Sequence, residues 1–81
     1  MIIKILGTGC EKCEKLEKNL DKALKELDIQ AIILKVENLA EIVSYGVMST
    51  PGLVVDEEVK SIGKALSVDE IKRILKSAVK E

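Results

Sequence analysis

Ile2-Ile3-Lys4-Ile5-Leu6-Gly7-Thr8-Gly9-Cys10-Glu11-Lys12-Cys13 opens the chain, and its reading decides the rest. Ile2 to Leu6 is a short, β-branched, apolar run of strand type. Two glycines interrupt it, and from Cys10 or Glu11 onward the apolar residues recur at helical spacing. Cys10 and Cys13, the only cysteines, therefore stand at a strand-to-helix turn. Residues three apart at the start of a helix share a face, with β-carbons about 5–6 Å apart. Their α-carbons then fall within the usual disulfide span of about 4.4–6.8 Å. A Cys-x-x-Cys so placed is a redox signature, because the pair can open and close with little backbone movement.

Outward from this turn, Cys13, Leu16, Leu20, Ala23, Leu24 and Leu27 form an apolar helical stripe, so the first helix is expected to reach Leu27. The opposite face carries Glu11–Lys15, Glu14–Lys18 and Asp21–Lys25 at i,i+4 and reads as solvated surface. Cys13 lies on the stripe and Cys10 at the helix mouth, which predicts a buried inner sulfur and an exposed outer one. A second strand is expected over Ile29 to Val36, parallel to the first because the crossover is long. Asn38-Leu39-Ala40-Glu41 offers an N-cap for a short helix that Tyr45-Gly46 ends. Pro51 to Val55 and Val59 to Ile62 read as a hairpin around Asp56-Glu57-Glu58, with Pro51 at a strand start where a missing N–H is tolerated. Gly63 marks a turn. Ser67-Val68-Asp69-Glu70 is a capping box, and Val68, Ile71, Ile74, Leu75, Ala78 and Val79 give the last helix its apolar face. Tyr45 and Met48 are expected to pack as loop hydrophobes. The order is βαβαββα, one domain over residues 1–81.

Composition narrows the chemistry. In 81 residues, 47% are hydrophobic, yet there is one Tyr and no Phe, Trp or His. Without His there is no Cys–His nucleophile, no imidazole ligand and no imidazole base. The 13 basic and 14 acidic residues are interleaved, with no basic block to attract nucleic acid. No stretch approaches the roughly 18 apolar residues of a membrane span. The opening run is short for a signal segment and carries Lys4, so a cytoplasmic monomer is expected. In a reducing compartment a lone Cys-x-x-Cys is catalytic, redox-sensing or metal-binding rather than a staple.

The thiolate is the attacking species in disulfide exchange. Cys10, at the unpaired N–H groups and positive end of a helix, is placed to carry that charge. Cys10 is thus expected to attack a substrate disulfide and Cys13 to resolve the mixed disulfide.

The element order, the Cys10-Glu11-Lys12-Cys13 turn and Thr50-Pro51 together resemble the thioredoxin superfamily in its minimal, glutaredoxin-sized form. The nearest likeness is to the small "redox-active disulfide protein" group, in the Gly-x-Gly-Cys-x-x-Cys start, the Met48-Ser49-Thr50-Pro51 segment and the Gly before the last helix. The resemblance implies an α/β, thioredoxin-like fold with a four-stranded mixed sheet of order 2-1-3-4 and helices on both faces. It implies Cys10 as nucleophile, Cys13 as resolving thiol, a cis Pro51 near the sulfurs, and Thr50 offering backbone hydrogen bonds to an extended substrate. It further implies a thiol–disulfide oxidoreductase with no cofactor beyond its own disulfide, a disulfide reductase as electron donor and a disulfide-containing substrate. Gly63 alone stands where glutaredoxins carry Gly-Gly with an acidic residue, which argues against a glutathione site. The first strand offers Lys4 and no acid, leaving the proton acceptor for Cys13 unassigned.

The competing reading is a soft-metal module using both thiolates, since Gly7 to Cys13 also resembles the loop of heavy-metal-associated domains. Those domains run βαββαβ and end on a strand. This chain ends on a capped helix and has no further Cys or His to close a tetrahedral site.

Overall fold

The computed structural model describes residues 1–7 and 11–79, the Val79 side chain excepted. Cys10, with Thr8 and Gly9, lies outside the described residues, as does the contribution of Val79 to the last apolar face. The elements are β1 (Ile2–Leu6), α1 (Glu11–Leu27), β2 (Ile32–Val36), α2 (Leu39–Ser44), β3 (Gly52–Val55), β4 (Glu58–Ile62) and α3 (Val68–Val79). The sheet order is β2-β1-β3-β4, as the resemblance implied. β1 pairs parallel to β2 and antiparallel to β3, and β3 pairs antiparallel to β4. This is a thioredoxin-like α/β fold. Among the described residues no helix is long and apolar enough to cross a membrane.

Side chains alternate across β1 and so divide the molecule into two apolar layers. Ile3 and Ile5 join Leu53 and Val55 under Leu16, Leu20, Ala23 and Leu24 of α1 and Ile71 and Leu75 of α3. Leu6, Val36 and Val54 face the other way, against Ile42 of α2 and Val47. Lys4 shares that second face. Its Nζ donates to the Tyr45 hydroxyl at 2.7 Å and to Glu57 at 2.6 Å. The Tyr45 ring packs on the Leu6 layer, as expected of a loop hydrophobe. One lysine thereby joins β1, the end of α2 and the β3–β4 turn.

The caps explain most boundaries. Asn38 Oδ1 accepts from the Glu41 N–H at 3.1 Å, opening α2. Gly46, at φ +80°, follows its last turn and donates to Val43 O at 2.8 Å. Ser67 and Glu70 close a reciprocal capping box at α3, with bonds of 3.0 and 3.2 Å. Lys72 of α3 pairs with Glu26 of α1.

Apart from β3 beginning at Gly52 rather than Pro51, two boundaries differ from the sequence reading. The second strand begins at Ile32 rather than Ile29, because Asp28 and Ile29 complete a Schellman cap on α1. Asp28 sits at φ +53°, its N–H bonds to Lys25 O at 3.2 Å, and the Ile29 N–H reaches Leu24 O at 3.0 Å. Ile29 then packs on the core as the hydrophobic member of that motif. The hairpin loop is also tighter than expected: Glu58 pairs with Val55, leaving Asp56 and Glu57 as the two loop residues. Their φ values of 48° and 69° are those of a primed turn. Asp56 repays the strain by bonding Ile2 in both directions, its Oδ1 accepting and its N–H donating at 2.8 Å.

Two outcomes follow. Asp28→Gly, which removes the β-carbon from a left-handed position, should raise stability by a few tenths to about 1 kcal/mol in denaturant unfolding. The Lys4 bond holds the Glu57 carboxyl below the ordinary range. A carboxyl lowered on folding contributes stability above its unfolded value and loses it as pH falls through the folded one. The melting-temperature gap between wild type and Glu57→Gln should therefore be present at pH 6 and close in strong acid.

Candidate functional site

Cys13 stands in the first turn of α1, where β1 runs out at the carboxyl end of the sheet. It begins the buried stripe that Leu16, Leu20, Ala23 and Leu24 continue, and is only 4% exposed. That is the inner position expected of it. Its sulfur is in a disulfide. The expected exposure and nucleophilic role of Cys10 fall outside the described residues.

The loop before β3 meets Cys13 at Gly7. Gly7 has φ +106°, and its N–H donates to Val36 O at 2.8 Å, extending the β1–β2 ladder past Leu6. A β-carbon there would lie 2.7 Å from Thr50 Cβ, 2.8 Å from Thr50 Cγ2 and 3.5 Å from Cys13 Sγ. The end of β1, the Thr50 side chain and the sulfur thus converge with no room for a methyl group. The Thr50–Pro51 peptide is cis, as the resemblance implied. Pro51 is fully buried, whereas Thr50 remains exposed. The Pro51 carbonyl accepts from the Gly63 N–H at 2.8 Å, so the end of β4 holds the loop in place. Of the four residues singled out from the sequence, Cys13, Thr50 and Pro51 are brought to one end of the sheet.

Met48 does not pack as expected. It is 85% exposed, between Val47 and Pro51, which take the inward positions of that loop.

The other flank of Cys13 opens into a cleft of about 470 Å³, lined by Ile5, Gly7, Cys13, Glu14, Glu17, Lys18, Lys35 and Glu37. Glu17 pairs with Lys35 of β2 at 2.9 Å. That bond, first among the causes, holds the Lys35 ammonium above its ordinary range. The sequence reading did not single out Glu17, since no local pattern offers a cue to a partner on β2. Gly7 was visible as the first glycine of the Gly-x-Gly-Cys-x-x-Cys start, but not as a neighbour of Thr50. Its contact with Thr50 depends on how β1 and β3 pair, which no local pattern encodes.

A family model described as "Thioredoxin domain" matches residues 1–76. The chain is 47% identical over 75 residues to a thioredoxin of Methanothermobacter thermautotrophicus, covering 93% of this chain and 97% of that one. It is 46% identical over 77 residues to a thioredoxin of Methanocaldococcus jannaschii, covering 95% of this chain and 88% of that one. Matches that run from the first strand into the last helix make this chain a member of the thioredoxin family.

Proposed function

We propose that this chain is a thiol–disulfide oxidoreductase that cycles Cys10 and Cys13 between dithiol and disulfide. The observation that carries the proposal is the position of the Cys13 sulfur. It is buried at a helix start, held in a disulfide, and set against Gly7 and the Thr50–Pro51 loop. A sulfur in that setting is shielded from casual reaction yet open to an intramolecular partner.

In the reducing direction the Cys10 thiolate attacks one sulfur of a substrate disulfide. The substrate S–S bond breaks, its other sulfur leaves as a thiolate, and Cys10 holds a mixed disulfide. The Cys13 thiol gives up its proton and attacks the Cys10 sulfur, expelling the second substrate thiolate. Two protons end on the substrate thiols, and two electrons pass from the cysteine pair to the substrate. A disulfide reductase returns the pair to the dithiol. No cofactor beyond the disulfide takes part, and the working unit is a monomer in the cytoplasm. The substrate docks as an extended segment against Thr50 and Pro51, in the manner of strand addition.

Redox titration of the pair in thiol buffers, read by alkylation and mass, should give a reversible two-electron couple between about −180 and −280 mV. Thiols that never form an intramolecular disulfide, or that retain a soft metal, would remove the proposal. Cys13→Ser should trap the mixed disulfide, and Cys10→Ser should abolish exchange; full activity in both is the contrary result. Gly7→Ala forces a β-carbon into Thr50 at a backbone angle that alanine resists, and should cost about 1–3 kcal/mol of stability. At temperatures where it is still folded, exchange with a protein disulfide should fall more than exchange with a small aromatic one. An equal fall in both would argue against docking at Thr50.

A further inference from the structure

Resolution demands that Cys13 lose a proton, and its surroundings limit where that proton can go. The thiol is 4% exposed, and no imidazole exists in the chain. Lys4, the polar residue of β1, lies on the opposite face of the sheet, bonded to Tyr45 and Glu57. The hydroxyl of Thr50 is a poor base. What reaches Cys13 is the cleft, and its ionisable lining comes from two sides: Glu14, Glu17 and Lys18 of α1, and Lys35 of β2 with Glu37 just beyond it.

These groups are not equivalent. Glu17 follows Cys13 by one helical turn, an i,i+4 relation that sets β-carbons about 5–6 Å apart on the same face. Its side chain is 38% exposed, and Lys35 holds one oxygen, Oε2, at 2.9 Å. Among the described residues Glu14 and Glu37 border the same cleft without such a tether, and both are exposed. A base acts efficiently when it is held within reach of the proton, directly or through one water.

We propose that Glu17 is the general base for Cys13 during resolution and that Lys35 is its positioning residue. This rests on the oxidoreductase reading above. The Cys13 proton passes across the cleft, through water, to the Glu17 carboxylate. The Cys13 thiolate attacks the Cys10 sulfur, the Cys10–substrate bond breaks, and the departing substrate thiolate takes a proton from solvent. Glu17 then releases its own proton to water, so the cycle needs no further reactant. Lys35 keeps the carboxylate oriented between turnovers.

The test uses the reduced protein and the aromatic disulfide dithiobis(nitrobenzoate), which releases one coloured thiolate when Cys10 attacks and a second when Cys13 resolves. The second phase is intramolecular and can be timed separately by stopped flow. In Glu17→Gln the first phase should be unchanged and the second slowed about tenfold or more at pH 6, within the usual scale for a lost base. The deficit should shrink as pH climbs toward the ordinary thiol value of about 8.5, where hydroxide suffices. Glu17→Asp should recover most of the rate, which a merely structural role for this side chain would not require. A Glu17→Gln second phase within about twofold of wild type from pH 6 to 8 would overturn the assignment. So would an equal slowing in Glu14→Gln or Glu37→Gln. A wild-type protein with no second phase would instead overturn the oxidoreductase reading itself.

Discussion

The structure depends on one steric constraint: the space between Thr50 and the Cys13 sulfur admits Gly7 and nothing larger. Gly7 ends a central strand, turns at a backbone angle that other residues resist, and still completes a ladder bond to Val36. It thereby lets the loop before β3 close on the end of β1 beside the Cys13 sulfur. A helix dipole or a buried sulfur would have little use at this place if the loop before β3 could not approach. The constraint acts through backbone geometry, so it holds whatever the charge state of nearby groups.

Around that point the sheet assigns separate duties to its two faces. The Ile3–Ile5 face carries α1, α3 and the approach to Cys13. The Leu6 face carries α2 and the bond set of Lys4, Tyr45 and Glu57, which joins three elements with a single ammonium. Strand alternation alone creates this division, since Lys4 and Ile5 are neighbours in sequence and point to opposite layers. A lysine on the Ile5 side would have put a cation among aliphatic side chains.

What was legible in the sequence follows the range of the interaction. Element order, the Asn38 and Ser67 caps and the α1 stripe depend on residues within one or two turns of each other, and they were read correctly. Strand order and the cis Thr50–Pro51 peptide came through the family resemblance rather than through periodicity, because neither is encoded locally. Asp28 hid the Schellman cap, since that position is ordinarily glycine, and Ile29 was therefore counted into a strand. The Asp56-Glu57 loop misled for the same reason. Contacts between β1 and the loop before β3, or between α1 and β2, require the pairing of strands before they exist. The approach of Gly7 to Thr50 and the pairing of Glu17 with Lys35 were consequently invisible. Cys10 lies outside the described residues, and its reading rests on the motif.

Tyr45, the sole aromatic residue, is bound to Lys4 and Glu57 on the face away from the Cys13 cleft. Optical signals of the native protein therefore arise across the sheet from the Cys13 cleft. Ultraviolet absorbance and intrinsic emission follow the seating of the short helix and the hairpin, and are nearly blind to electron transfer. Oxidation and unfolding can accordingly be watched in one sample by independent probes, thiol labelling for the first and tyrosine for the second. A change in one can then be attributed without correcting for the other.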